Sequence, residues 1–248
     1  ADRYNFRGKP DVAVGRVPVR TPEEASVIID KIEAYIGNRT AGSWQNTTVF
    51  LGDDGDNNIH MDGADKTAGT LEARTQSFDI KKIMWDAYKR ETSSTGSRYP
   101  DVERAVRQYM TDGALLINYT GHGSPVLLSH EQVVKLHDFA STSTANLPLW
   151  FTAACDIMPF DGQESNIGET AMLNRNGGAV AFIGTTRTVY ANYNEYLNKA
   201  FIIEMFGNAD ENISIGEALR RAKNDMVSPS SGGYSNDYTD NKLHFALL

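Results

Sequence analysis

Cysteine is almost missing from this chain of 248 residues, which has only Cys155. One thiol cannot close an internal disulfide, so a disulfide-stapled secreted scaffold is excluded. Nor can it build a cysteine-rich zinc site. Basic charge is also short: 24 Lys plus Arg stand against 32 Asp plus Glu, a formal charge of −8. With a pI near 5.1, a broad electrostatic footprint for nucleic acid is excluded. No run approaches the ~18 consecutive apolar residues of a membrane helix. Residues 1–10 hold no apolar signal-peptide core. The chain opens without Met and stops at His244-Phe245-Ala246-Leu247-Leu248, which reads as an unfinished strand. A piece of a longer protein is therefore expected, with any leader outside it. Internal repeats, a phosphate loop and a dinucleotide fingerprint are absent.

What is present reads as strand and helix in alternation. Thr21-Pro22-Glu23-Glu24 is a capping box with proline at the first helical position. Val27, Ile28, Ile32, Tyr35 and Ile36 follow at helical spacing, up to Gly37. Thr47 to Leu51 predicts a strand ending in the loop Gly52-Asp53-Asp54-Gly55-Asp56. A polar helix is predicted over 63–77 and an exposed loop over 93–97. Pro100 opens a helix with Val102, Val106 and Met110 on one face, stopped near Gly113.

Ala114 to Tyr119 predicts a buried strand, followed at once by Gly121-His122-Gly123. A helix is predicted over 130–140, with Val133, Val134 and Leu136 inside. Leu149 to Ala154 predicts the next strand, and Cys155 stands just past it. A helix from Asn166, a strand from Ala179 to Ile183 and helices over 193–206 and 214–226 complete the pattern. Residues 228–241 are expected to form a mobile loop. Unbroken apolar strands separated by helices indicate a mostly parallel sheet covered on both faces.

Open α/β sheets bind ligands beyond the carboxyl ends of their strands. Three such loops carry reactive groups: the Asp53-Asp54 loop, the His122 loop and the Cys155 loop. If the strands before His122 and Cys155 are neighbours, imidazole and thiol meet at one edge and form a nucleophilic pair. The glycines beside His122 are expected to permit a tight turn and to free N–H groups for an oxyanion. The alternative is that Cys155 is a small buried hydrophobe and His122 an ordinary turn residue.

Other clusters are weaker. Asp53, Asp54, Asp56, Asp62 and Asp65 have no Lys or Arg among them and could bind a structural calcium, although the EF-hand spacing is missing. A solvated acidic loop is the competing reading. His60 lacks partners at zinc spacing. His130 and His137 read as surface or capping residues of a helix, and His244 as a strand residue with no visible partner.

Asn118-Tyr119-Thr120-Gly121-His122-Gly123-Ser124, with Ala153-Ala154-Cys155-Asp156 and Phe160-Asp161, resembles the catalytic signature of the gingipain-like cysteine peptidases (family C25, clan CD). Asp11 to Arg20, with the capped helix after it, is similar to the segment before the gingipain catalytic subdomain. Gly168-Glu169 and the run from Gly178 to Tyr190 most resemble the branch that serves as sortase of the type IX secretion system. The similarity spans about residues 10–248.

The resemblance implies a caspase/gingipain-like α/β/α sandwich with a mostly parallel sheet. Residues 1–20 would end an upstream subdomain or form a lead-in strand, and 21–248 would be the catalytic domain, truncated at its C-terminus. Cys155 would be the nucleophile and His122 the acid/base. Gly123 and Cys155 would lend main-chain N–H groups to the oxyanion. An acid supports the histidine in this family; Asp54 is the nearest match and Asp53 the rival. The loop after the next strand would line the substrate cleft through Thr186, Arg187 and Tyr190, unless Arg187 pairs with a structural carboxylate. No cofactor is required.

The implied reaction is removal of C-terminal sorting signals from exported cargo through a thioester, with transfer to water or to an amine on anionic lipopolysaccharide. Implied partners are that cargo and an outer-membrane barrel, at the cell-surface side of the outer membrane of a Bacteroidota-type cell. A gingipain-type endopeptidase and a non-catalytic scaffold of the same fold are the alternatives.

Overall fold

The computed structural model of the chain describes residues 8–94, 96–162, 164–207, 211–226 and 239–248. In chain order the elements are α1 (Pro22–Ile36), β1 (Thr47–Gly52), α2 (Ile59–Glu72), β2 (Asp79–Met84), β3 (Glu91–Ser93), β4 (Gly96–Arg98) and α3 (Pro100–Asp112). Then follow β5 (Leu116–Thr120), β6 (Gly123–Ser124), β7 (Leu127–Leu128), β8 (Val134–Lys135), α4 (Leu136–Ser141) and β9 (Leu149–Ala153). The last are α5 (Ile167–Leu173), β10 (Ala181–Thr185), α6 (Ala191–Phe206), α7 (Ile215–Asp225), α8 (Thr239–His244) and β11 (Phe245–Leu247).

The central sheet runs β2-β1-β5-β9-β10-β11. Its first five strands are parallel, and β11 returns antiparallel beside β10. Side chains alternate across it. Val49, Leu51, Ile117, Tyr119, Trp150 and Phe182 face one core, shared with α1, α3, α4 and α5. Phe50, Leu116, Phe151, Ile183 and Phe245 face the other, under α2, α6 and α7. Both faces are covered, which is why these strands read as unbroken apolar runs. Strand order reverses between β1 and β5, and open sheets of this kind place ligand crevices at such a reversal.

The first helix forms as its cap dictates. Thr21 Oγ1 accepts from the Glu24 N–H at 3.2 Å, and the Glu24 carboxylate accepts from the Thr21 N–H at 3.3 Å. Its buried face is Val27, Ile28 and Lys31, whereas Ile32 and Ile36, expected inside, are exposed. The reason is Lys31. Its ammonium donates to the carbonyl oxygens of Ala171, Met172, Asn174 and Gly177 at 2.9–3.2 Å. These include C-terminal carbonyls of α5 that no intrahelical N–H can reach. Burial draws the Lys31 pKa down to about 8, and the four carbonyl dipoles favour a proton on the amine.

Elsewhere the order of elements is as expected and several boundaries move. The segment 130–140 is not one helix. Leu127 and Leu128 pair with Lys135 and Val134 as a small antiparallel ladder, and left-handed Ser129 and Gln132 turn the chain between them. Only Leu136–Ser141 is helical. Val133 and Val134 are buried, but from the turn and strand. The helix expected over 63–77 starts at Ile59, directly after left-handed Asn57 and Asn58.

The edge strand β2 was not expected, since Asp79-Ile80-Lys81-Lys82 is largely polar. Ser93, Gly96 and Ser97 belong to the β3–β4 pair. Of the loop expected over 228–241, residues 228–238 lie outside the described residues and the rest enter α8. In the lead-in segment, the Arg16 N–H donates to Leu247 O at 2.9 Å, so that segment runs beside β11. No helix among the described residues is long and apolar enough to cross a membrane.

Candidate active site

The strands before His122 and Cys155 are neighbours. Thr120 pairs with Ala153 in parallel register, and the Gly121 N–H reaches Ala153 O at 3.4 Å, one step beyond the ladder. The imidazole loop and the thiol loop therefore leave the same sheet edge side by side. The Cys155 loop is braced from β10. Thr185 Oγ1 donates to Ala154 O, the Met158 N–H donates to Thr185 O at 2.8 Å, and the Asp156 N–H to Arg187 O at 3.3 Å.

The glycines flanking His122 serve close approach rather than turn geometry, since neither has a positive φ. A Cβ at Gly121 would collide with the Tyr119 hydroxyl and with Asp53 Cβ. At Gly123 it would collide with Ile157 Cδ1 and lie 3.1 Å from Ala154 Cβ. The main chain around His122 thus packs directly on the β1 loop and on the Cys155 loop.

His122 is held at both ends. Its N–H donates to Asp53 Oδ2 at 3.0 Å, and its carbonyl oxygen accepts from the Tyr119 hydroxyl at 2.6 Å. The Tyr119 hydroxyl also lies 3.1 Å from Asp53 Oδ2. The ring Nε2 donates to Asp56 Oδ2 at 2.6 Å, which leaves Nδ1 as the other nitrogen able to exchange a proton. His130 stacks on the ring at 4.4 Å between centroids, and His60 meets it edge-on at 4.8 Å.

Electrostatics sort the acids. Asp53 is buried, and burial raises its pKa to about 7 despite the opposing His122 N–H bond; the Glu131 charge adds to the rise. Exposed Asp56 is held below the usual carboxylate range by its bond to His122. His60 is pushed down, first by burial and then by the charge of His122.

Asp54, the nearest match for the supporting acid, is elsewhere. It accepts from the Tyr99 hydroxyl at 2.8 Å and sits 3.5 Å from Arg90. The acid on the imidazole is Asp56, and the rival Asp53 holds the main chain instead. Sequence reading weighs Asp56 as part of a calcium-binding or solvated acidic loop and His60 as a weak metal ligand, and links neither to His122. The available signal was the closeness of Asp56 and His60 in sequence, joined by the left-handed turn of Asn57 and Asn58 that leads into α2.

Cys155 is half-buried. Its Sγ donates to Val189 O at 3.4 Å and faces the Val189 N–H at 3.5 Å. The loop after β10 therefore rests on the thiol. Within that loop, the Thr186 N–H and hydroxyl both donate to His244 O, at 2.8 and 3.2 Å. Arg187 pairs with Asp161 at 2.6 Å, both exposed. Tyr190 is exposed and meets the Tyr193 ring edge-on at 6.0 Å. His244 ends α8 and has a partner, its Nδ1 lying 3.0 Å from Thr188 O. His130 stands in the β7–β8 turn and not on a helix.

Among the described residues, two sets could hold a metal. Asp53, Asp54 and Glu131 bring one ligand atom each within 4.8 Å of one another, as do Asp56, His60 and His122. The first set is all oxygen, the chemistry of calcium, but Arg90 already reaches Asp54 and Glu131 at 3.5 Å each. Asp65 of the expected acidic cluster pairs with Lys82 at 2.9 Å instead.

Residues 2–248 match Peptidase family C25. The chain belongs to that family. Its fold is similar to that of the Arg-specific cysteine proteinase gingipain R, with a TM-score of 0.75 at 18% identity over 96% of this chain and 54% of the other. The complex of Porphyromonas gingivalis RgpB pro- and mature domains aligns equally, with a TM-score of 0.75, 17% identity and coverage of 96% and 55%. The Saccharomyces cerevisiae separase–securin complex aligns at a TM-score of 0.58 and 14% identity, over 96% of this chain and 14% of that one. An uncharacterized protein of Archaeoglobus fulgidus is 20% identical over 213 residues, 75% of this chain and 49% of its own. The chain thus spans about half the length of the gingipain structures and of the archaeal protein, and its gingipain-like α/β architecture is that of a cysteine peptidase family.

Proposed function

We propose that this C25 domain is the catalytic part of a cysteine-dependent sortase of the PorU kind, which removes C-terminal sorting signals from cargo exported by a type IX secretion system. The observation that carries the reading is the placement of His122 and Cys155 on adjacent strand ends, joined by the Thr120–Ala153 register.

The Cys155 thiol leaves Val189 O and passes its proton to His122. The thiolate attacks the scissile carbonyl carbon, and the carbonyl π electrons move onto oxygen. The main-chain N–H groups of Gly123 and Cys155 receive that oxyanion. Its collapse expels the amine, which takes the proton from His122 and leaves a thioester on Cys155. Water or an amine on anionic lipopolysaccharide then attacks the thioester and regenerates the thiol. Asp56 keeps the imidazole oriented and offsets its positive charge. Thr186, Arg187 and Tyr190 line the approach to Cys155. The protein works at the cell-surface side of the outer membrane with a barrel partner.

The test uses the full-length protein with cargo bearing its sorting signal. Cleavage is expected to vanish in Cys155→Ala while binding to the barrel partner persists. Cleavage by Cys155→Ala at the wild-type rate would overturn the reading. Efficient cleavage of short basic peptides would favour the gingipain-type endopeptidase instead.

A further inference from the structure

The second metal-competent set contains the histidine just assigned to proton transfer. Asp56 Oδ2 lies 2.6 Å from His122 Nε2 and 3.5 Å from His60 Nε2. One atom from each of the three residues falls within 4.8 Å of the others. Two imidazoles and one carboxylate are a donor set suited to zinc and its neighbours, not to calcium or magnesium. Tetrahedral zinc with ligands at about 2.0–2.1 Å separates its donor atoms by about 3.3 Å. The His60–Asp56 pair is already near that spacing, and Asp56 need retreat from His122 by only about 0.7 Å. Its side chain is 55% exposed and free to do so.

His60 gives the set a fixed wall. It is buried, and its Nδ1 finds no hydrogen-bond partner among the described residues. His122 is 37% exposed on its side chain, so the mouth of the set opens to solvent. A water would complete the coordination.

We propose that Asp56, His60 and His122 form a capture site for a divalent transition ion such as Zn²⁺, and that its occupation holds the enzyme inactive. The metal takes the lone pair of His122 Nε2, and the ring's one proton moves through solvent from Nε2 to Nδ1. Neutral imidazole bound through Nε2 keeps that proton on Nδ1. It then has no lone pair to accept the proton of the Cys155 thiol, and the thiolate is not formed. Metal binding itself does not depend on the sortase reading, whereas the inhibitory half rests on the role that reading gives His122.

The binding experiment uses the protein carrying Cys155→Ala, which removes the competing thiol. Equilibrium dialysis against Zn²⁺ is expected to show about one ion per chain. Co²⁺ as an optical probe is expected to show visible ligand-field bands without a thiolate charge-transfer band. Asp56→Asn and His60→Gln should each weaken Zn²⁺ by at least the ~10–100-fold that even outer-shell changes cost. His130→Gln, which removes a stacking neighbour and no donor, should leave it within about twofold. Because Asp56 is exposed, its variant decides the matter even if His60→Gln fails to fold.

Zn²⁺ affinity unmoved by Asp56→Asn, or no binding once Cys155 is gone, would overturn the site. Zn²⁺ that binds this set yet leaves cargo cleavage by the full-length protein untouched would overturn the inhibitory half. A full-length protein that cleaves no cargo even without Zn²⁺ counts against the peptidase reading, and the dialysis result then still decides the metal site.

Discussion

The carboxylate of Asp56 lies 2.6 Å from Nε2 of His122, while Asp53 takes the main-chain N–H of the same residue at 3.0 Å. One aspartate therefore orients the ring and another anchors the backbone beneath it. Their environments separate the roles. Asp56 is exposed and kept ionised by the imidazole; Asp53 is buried and keeps a proton up to about pH 7.

Asp56→Asn is the direct test of ring orientation. An amide can still bond the ring but no longer offsets an imidazolium charge. General acid–base catalysis contributes about 10²–10⁴-fold, and loss of the orienting acid should remove about tenfold or more of it in kcat/KM. Asp54→Asn should cost less. A larger loss from Asp54→Asn than from Asp56→Asn would return the supporting role to Asp54.

Gly121→Ala tests whether the loops are set by close approach. The added methyl meets the rigid Tyr119 ring and Asp53 Cβ, both buried. Overpacking of this kind costs roughly 1–3 kcal/mol, and the displaced His122 should lower turnover more than substrate binding. The check is a urea titration beside steady-state kinetics. Unchanged stability together with unchanged turnover would remove the steric argument.

Lys31→Met removes the ammonium shared by the carbonyl oxygens of Ala171, Met172, Asn174 and Gly177; Ala171 O and Asn174 O keep main-chain donors in Ala179 and Gly177, and Met172 O and Gly177 O lose theirs. Uncompensated buried acceptors cost about 1–3 kcal/mol each where no water reaches them. A loss of roughly 2–4 kcal/mol in unfolding free energy is expected. A change under about 0.5 kcal/mol, the range of ordinary surface substitutions, would show that water takes over the lysine's bonds.

Asp53 links folding to pH. Its pKa rises from the ordinary 3.8 to about 7, chiefly by burial. Between those values the folded chain holds a proton that the unfolded chain has released. Stability contributed by this group is therefore greatest in acid and falls as pH rises toward 7. Asp53→Asn removes that dependence. Urea midpoints for both proteins at about pH 4.5 and about pH 7.5 should show the variant gaining relative to the parent at the higher pH. A pH-independent difference would count against a protonated Asp53.

Much of this arrangement was legible in the residues. Val49-Phe50-Leu51 and Trp150-Phe151 have no polar face, so a doubly covered parallel sheet followed, and with it the strand-end positions of His122 and Cys155. The misreadings share a physical cause, which is that short segments take their structure from neighbours. Val133, Val134 and Leu136 suit a helix or a strand equally, and pairing with Leu127 and Leu128 decided it. Lys81 and Lys82 hide an edge strand. Lys31 was overlooked on the inner face of α1 because four distant carbonyls, not its own sequence, make burial tolerable. Asp56 was passed over for the same reason, since its partner lies 66 positions away.

The Thr120–Ala153 pairing has one more consequence, for how the site fails. The spacing between imidazole and thiol is inherited from hydrogen bonds at the middle of the sheet rather than from two independently moving loops. A sheet of this kind does not soften by degrees; its central strands separate only when the domain comes apart. On gentle heating, therefore, thiol reactivity at Cys155 should hold its native value until the cooperative transition and then change together with the near-ultraviolet signal of buried Trp85 and Trp150. The catalytic geometry and the global fold would share one melting curve.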